Sequence, residues 1–189
     1  MATMNTAEVG VGTAKVTGAI WVAPNGTTLP TDATTTLAGT YTLLGFTSDA
    51  GFSISESRST QPIRAWEGRT EVYSIVTEYT ESVSFTPIQI NADVAKLTWG
   101  DDNVTVATNK ITAKHTGATL EPVAIVVETA PRDNIVKRYC GTFQLTERGE
   151  ATLDGTVVDA RQLTFNAIAD ASGVTMYEYM AVTVSGQTS

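Results

Sequence analysis

The chain holds one cysteine, one histidine and three tryptophans among 189 residues, and only 12 lysines and arginines against 20 aspartates and glutamates. Each scarcity closes a class of function. With Cys140 alone there is no internal disulfide, which fits folding in a reducing cytosol. His115 stands in the polar stretch TAKHTGAT with no sign of a triad, so it reads as a solvated loop or strand-end residue, and Cys140, set among alternating strand residues, reads as a small buried hydrophobe. One His, one Cys and an isolated Asp101-Asp102-Asn103 do not make ligand spacing for zinc or an EF-hand, and nothing calls for a cofactor. A net charge of -8 and a pI near 4.6 oppose any grip on nucleic acid through phosphate neutralisation. No apolar run approaches the roughly 18 residues of a membrane helix. The start, MATMNTAEVGVGTAKVTG, lacks the basic and apolar regions of a signal peptide, so the expected product is soluble and cytosolic when made, with a flexible arm over about residues 1–15.

What is present is period two. In VYSIVTEYTESVSFT, Val72 to Thr86, strict alternation places Tyr73, Ile75, Thr77, Tyr79, Glu81, Val83 and Phe85 on one face and Val72, Ser74, Val76, Glu78, Thr80, Ser82 and Ser84 on the other. Fifteen residues at ~3.3 Å each span about 50 Å, far beyond an ordinary strand, so part of it projects past its own core. Further strands are expected at Val16–Ala23, Tyr41–Phe46, Gly51–Arg58, Val123–Glu128, Ile135–Leu145, Val157–Ile168 and Val174–Val184. The continuous VAIVV of Val123 to Val127 predicts a strand covered on both faces. Turn signals at Asn25-Gly26, Asp133-Asn134, Arg148-Gly149 and Asp154-Gly155 predict hairpins. The exception is NADVAKLTWG: Asn91 as N-cap, Asp93 in the first turn, Ile90, Val94 and Leu97 at helical spacing, and Gly100 to close. The expected fold is mainly β, a β-sandwich or partial barrel in a single domain, with one short flanking α-helix over about 91–99.

Several motifs fail on inspection. Gly45 and Gly51 enclose five residues, but no Lys-Ser or Lys-Thr follows and a strand comes next, so they predict a turn and not a phosphate cradle. Gly10 and Gly12 lack the third glycine and the preceding strand of a dinucleotide loop. Glu78 and Glu81 fall on opposite faces and cannot flank one glycosidic bond. A hydrolase on a jelly-roll scaffold therefore has no acid–base pair. Ser53, Ser55, Ser57 and Ser59 share one side of a strand, which lines either a wet channel or a solvated outer face. Glu56 to Arg69, polar with Pro62, reads as a loop, in which Trp66 either caps the subunit's own core or is free to contact a partner. An alternative function is a carbohydrate-binding or adhesin-like β-sandwich, but Trp21, Trp66, Trp99, Tyr177 and Tyr179 are scattered and form no visible platform.

Four stretches carry a resemblance: GFTSDAGFSI at 45–54, IRAWEG at 63–68, the long strand ending SFT at 84–86, and INADVAKLTWG at 90–100. Together they resemble the major tail tube protein of long-tailed, siphophage-type bacteriophages, in motif over about 45–100 and in strand order beyond. That resemblance implies a non-enzymatic structural virion protein whose six copies form a ring, with strands from all six joined in one β-barrel, the rings stacking into the tail tube. It implies lumen strands at Val72–Thr86 and Val157–Ile168, with Glu78, Thr80, Ser82 and Ser84 turned inward so that DNA slides past without adhering. It also implies an assembly loop at about 56–69, with contacts through Arg58, Gln61, Ile63, Arg64, Trp66 and Glu67. Further partners would be the tape measure protein, the tail terminator and distal tail or baseplate proteins. Assembly would take place in the host cytoplasm, with no membrane involved.

Overall fold

The computed structural model describes residues 10–15, 18–132, 135–151, 153, 155–156 and 158–182. Among these residues ten strands and one α-helix run in the order β1 (Ile20–Pro24), β2 (Thr42–Leu43), β3 (Thr47–Arg64), β4 (Glu71–Pro87), α1 (Ala92–Trp99), β5 (Val104–Ala107), β6 (Lys110–Ala113), β7 (Val123–Arg132), β8 (Ile135–Arg148), β9 (Leu163–Ile168) and β10 (Met176–Val182). The main sheet has the order β2-β1-β7-β8-β9-β4-β3, with β10 paired to β8, and every pairing is antiparallel.

The sheet forks at β8. Ile135 to Gly141 pair with β10 and Thr142 to Arg148 with β9, so one strand serves two wings. One wing comprises β2, β1, β7, β10 and the first half of β8; the other comprises the second half of β8 with β9, β4 and β3. The wings close on a shared core of Ile20, Ile125, Val127, Val83, Phe85, Phe143, Leu163 and Phe165, with Leu97 of α1. This is a sandwich-like arrangement, not a closed barrel. Phe85 stacks on Phe165 at 5.5 Å and on Phe52 at 5.9 Å, which fixes the root of β3 to β4 and β9.

β7 is covered on both faces, as its unbroken apolar run requires. Ile125 and Val127 enter the shared core, while Ala124 and Val126 enter a second cluster with Ala23, Tyr41 and Cys140, packed against Trp21, Leu29, Leu37, Tyr177 and Tyr179. The 25–41 connection lies over this cluster: Tyr41 Oη donates to the Thr28 carbonyl at 3.1 Å, and Arg138 Nη1 donates to the Asp32 carbonyl at 2.8 Å.

α1 forms as its caps dictate. The Asn91 side chain accepts from Val94 N at 2.7 Å and donates to the Leu44 carbonyl at 3.1 Å, tying the helix to the sheet. Gly100, at φ 89°, closes the end by donating its N–H to Lys96 O at 2.7 Å. Ile90 is not on the packed stripe, as its spacing suggested; it precedes the cap and is 80% exposed.

Several strand boundaries differ from expectation. Tyr41–Phe46 is strand only at Thr42–Leu43, and Val157–Ile168 only from Leu163. Val16, Val157, Val184 and the Asp133-Asn134 pair lie outside the described residues. β5 and β6 form a hairpin that the polar run VTVATNKITA did not signal; Asn109, at φ 57°, makes its turn without the glycine that marks most such turns. The largest correction concerns Glu56–Arg69. It is strand as far as Arg64, paired throughout with β4, and only Ala65 to Thr70 form a turn, closed by Ala65 N to Thr70 O at 2.8 Å. Pro62 does not interrupt β3, because β3 is an edge strand with one side free of partners among the described residues. Gly45 stands before β3, and Gly51 lies within it at φ 73°, where the register shifts between Thr47 and Phe52, so it makes a bulge and not the expected turn.

Candidate assembly surface

The feature with no role inside the subunit is the β3–β4 arm. β9 covers β4 only from Ser82 to Phe85, so Glu71 to Glu81 extend beyond the second wing for roughly 35 Å at ~3.3 Å per residue. Both edges of this hairpin are free among the described residues. Its outer half exposes Ile63, Trp66, Val72, Tyr73, Ile75, Val76 and Tyr79, with Trp66 at 95%. Trp66 therefore does not cap the subunit's own core. A cluster of exposed apolar groups of this size on a soluble fold marks a contact surface.

The arm's faces follow from register, since residues directly opposite in an antiparallel pair project to the same side. Ser53, Ser55, Ser57 and Ser59 lie opposite Ser84, Ser82, Thr80 and Glu78. β9 adds Thr164 and Asn166, opposite Ser84 and Ser82, and β8 adds Gln144, opposite Asn166. The second wing thus carries a continuous hydroxyl- and amide-rich face across four strands, and its other face, with Phe52, Val83, Phe85, Leu163 and Phe165, is the core. The four residues expected on an inner face are brought together there.

Two register shifts fall in the outer arm, between Ser59 and Thr60 and between Ile63 and Arg64, and the first sets the faces of most of it. The register passes from Ser59–Glu78 to Thr60–Val76, leaving Thr77 as a bulge, and Thr77 Oγ1 donates to the Ser59 carbonyl at 3.2 Å. Beyond it parity reverses, so Tyr73 and Ile75, aligned by alternation with Tyr79, Val83 and Phe85, instead lie opposite Ile63 and Gln61 on the polar side. The polar face becomes apolar toward the tip.

Of the expected contact residues, Arg58 places its guanidinium 5.4 Å from the Tyr79 ring centroid on the core-side face, Gln61 and Ile63 fall on the opposite face, and Arg64 sits opposite Glu71. Trp66 and Glu67 occupy the turn. All six are on the arm. Sequence reading missed Val72, Tyr73, Ile75 and Val76 as exposed groups because they continue an alternation that begins in the core.

Charged groups at the root differ in kind. Glu81, which alternation sets on the face opposite Glu78, is buried at 6% exposure, accepts from Thr175 Oγ1 at 2.5 Å, and lies opposite Glu56. His115, expected in solvent, is exposed but stacks on Trp99 with centroids 3.6 Å apart, and Arg148 adds its guanidinium at 4.8 Å from the same ring. The Cys140 thiol is pushed up to about 11 by burial, against a weaker downward pull from Arg138, which makes it inert. Among the described residues no three His, Cys, Asp or Glu side chains are grouped to hold a metal, and no helix is long and apolar enough to cross a membrane. Trp21 lies under the 25–41 connection, Trp66 on the arm and Trp99 on α1, so these aromatics share no platform.

The fold and the arm define a class: an antiparallel β-sandwich subunit carrying a projecting two-stranded hairpin. Comparison with family models matches residues 2–187 to the phage tail tube proteins. The chain belongs to that family; it is a structural component of a virion tail and not an enzyme. Among curated proteins no relative matches it.

Proposed function

We propose that six copies form a ring, that the rings stack into the tail tube, and that the polar face of β3, β4, β9 and β8 lines a lumen through which DNA is ejected. The observation that carries this reading is the arm: a long hairpin with free edges, apolar at its tip and hydroxyl-rich along one face. Free strand edges are satisfied when neighbouring copies pair into a closed barrel, which removes them altogether. Glu78, Thr80, Ser82 and Ser84 then face inward, where the carboxylate repels phosphates and the hydroxyls supply no cation to hold them. Arg58, Gln61, Ile63, Arg64, Trp66 and Glu67 make contacts between copies. Its further partners are the tape measure protein, the tail terminator and distal tail or baseplate proteins, and assembly takes place in the host cytoplasm. Negative-stain microscopy of the concentrated chain tests this: hollow tubes built of six-fold rings are expected, and a strictly monomeric species at every concentration would overturn it.

A further inference from the structure

A cavity of about 750 Å³ opens where the two wings part at the arm's root. Phe52 and Ile54 of β3 wall one side, and Ile135, Tyr139, Met180 and Val182 of β8 and β10 the other. Met180 and Val182 are exposed, so no described residue covers this apolar surface. On the face of β3 that carries Phe52 and Ile54 the next residue outward is Glu56, directly opposite Glu81. Neither carboxylate makes an ion pair among the described residues, although Glu81 is buried. A buried carboxylate without a cation is costly, and a cation brought by another copy would complete it.

The convex counterpart is carried on the same chain. Ile63, Trp66 and Tyr73 expose apolar surface at the arm's tip, and Arg64 and Arg69 flank Trp66 without an ion pair. The tip cannot reach its own cavity, because a paired ladder of roughly 35 Å separates it from the root.

We infer that the cavity receives the arm tip of a second copy, with Trp66 entering between β3 and β10 and Arg64 and Arg69 meeting Glu56 and Glu81. The inference rests on the tube reading, which supplies the second copy. Tryptophan is the side chain that most often anchors an interface, and arginine forms the stronger, two-point contact with carboxylates. Glu67 and Glu71 share the tip, and Lys137 on the cavity wall, which holds Glu178 at 3.0 Å, offers them the opposite sign. A tip in one place and its socket in another make a heterologous contact, which propagates from copy to copy instead of closing as a dimer.

Disulfide trapping tests the placement. Glu67→Cys, which keeps Trp66, and Met180→Cys chains are mixed under assembly conditions, oxidised and run without reductant, with Ile90→Cys in place of Met180→Cys as the control; buried Cys140 stays out of the reaction. All three substituted sites are exposed, so the fold is preserved. A product of twice the monomer mass from the first mixture, at least tenfold above the control, is expected. Tubes that form without this product, or with equal trapping at Ile90→Cys, overturn the socket and leave the tube reading standing. Absence of tubes from the unsubstituted chain overturns both.

Discussion

Arg138 is buried within the sheet, where its guanidinium binds the Glu128 carboxylate and donates to the Asp32 carbonyl at 2.8 Å. Lys15 reaches the other carboxylate oxygen of Glu128 at 2.8 Å, so one carboxylate bridges two cations and ties the 10–15 segment to β7. Burial pushes the Glu128 carboxyl upward, but the hydrogen bonds and charges of Lys15 and Arg138 outweigh it and hold the group below its ordinary 4.5. A lowered folded-state value means stability that is fully present above 4.5 and is lost as pH falls through the lowered one. Glu128→Gln leaves buried Arg138 with only the half-exposed Asp32 carboxylate, 4.0 Å away, as counter-charge and is expected to cost about 3–5 kcal/mol at pH 7. Urea unfolding across pH is the measurement: the wild-type and Glu128→Gln free energies should converge in acid, and parallel curves would refute the account.

At the scale of elements, sequence reading succeeded where one physical constraint dominated. VAIVV is buried on both sides because its composition permits nothing else, and α1 begins at Asn91 because that side chain caps it. It failed where partners decide. The Thr77 bulge is a relation between two strands, invisible in either alone, and it moves Tyr73 and Ile75 to the other face. Ser59–Arg64 looked like loop because its residues are polar, yet β4 pairs with every one of them, and an edge strand outside the core needs no apolar face. Of the surface residues, the serine face was legible in alternation, whereas the apolar tip was not. The bulge makes a sharp prediction. Inserting one serine between Ser59 and Thr60 gives Thr77 a partner, restores simple alternation along β4 and places Tyr73 and Ile75 on the core-side face of the outer arm, which touches no core. The melting temperature should stay within about 3 °C, since surface changes away from the core usually fall within ~0.5 kcal/mol. Assembly measured by sedimentation should be lost; tubes at wild-type yield would show that the tip's facing is immaterial.

For the whole molecule, the balance to explain is between adhesion to its own kind and indifference to DNA. An edge strand as long as β3 invites uncontrolled pairing, and the chain restrains it with the Gly51 bulge, Pro62 and the charges of Glu56, Arg58 and Arg64. A net charge of -8 adds repulsion between copies, so association must come from localised contacts such as the arm's apolar tip, not from general stickiness. The polar face of the second wing is the complement, with serine, threonine and asparagine at nearly every position and no lysine or arginine among Ser53, Ser55, Ser57, Ser59, Glu78, Thr80, Ser82, Ser84, Thr164 and Asn166. Were this face the lumen, one cation per copy would be repeated around every ring and along the tube, turning a passive wall into a phosphate-binding one. Ser82→Lys is the substitution to make, since Ser82 sits at mid-face between Ser55 and Asn166, away from the tip and the core. Tubes should still assemble, while DNA release from particles carrying the variant should slow by about tenfold or more at low salt. The rate should recover as ionic strength rises, because phosphate contacts weaken steeply with salt. Release kinetics followed by dye binding at two salt concentrations decide it: a variant that assembles and ejects at the wild-type rate in both would place this face on the outside of the tube.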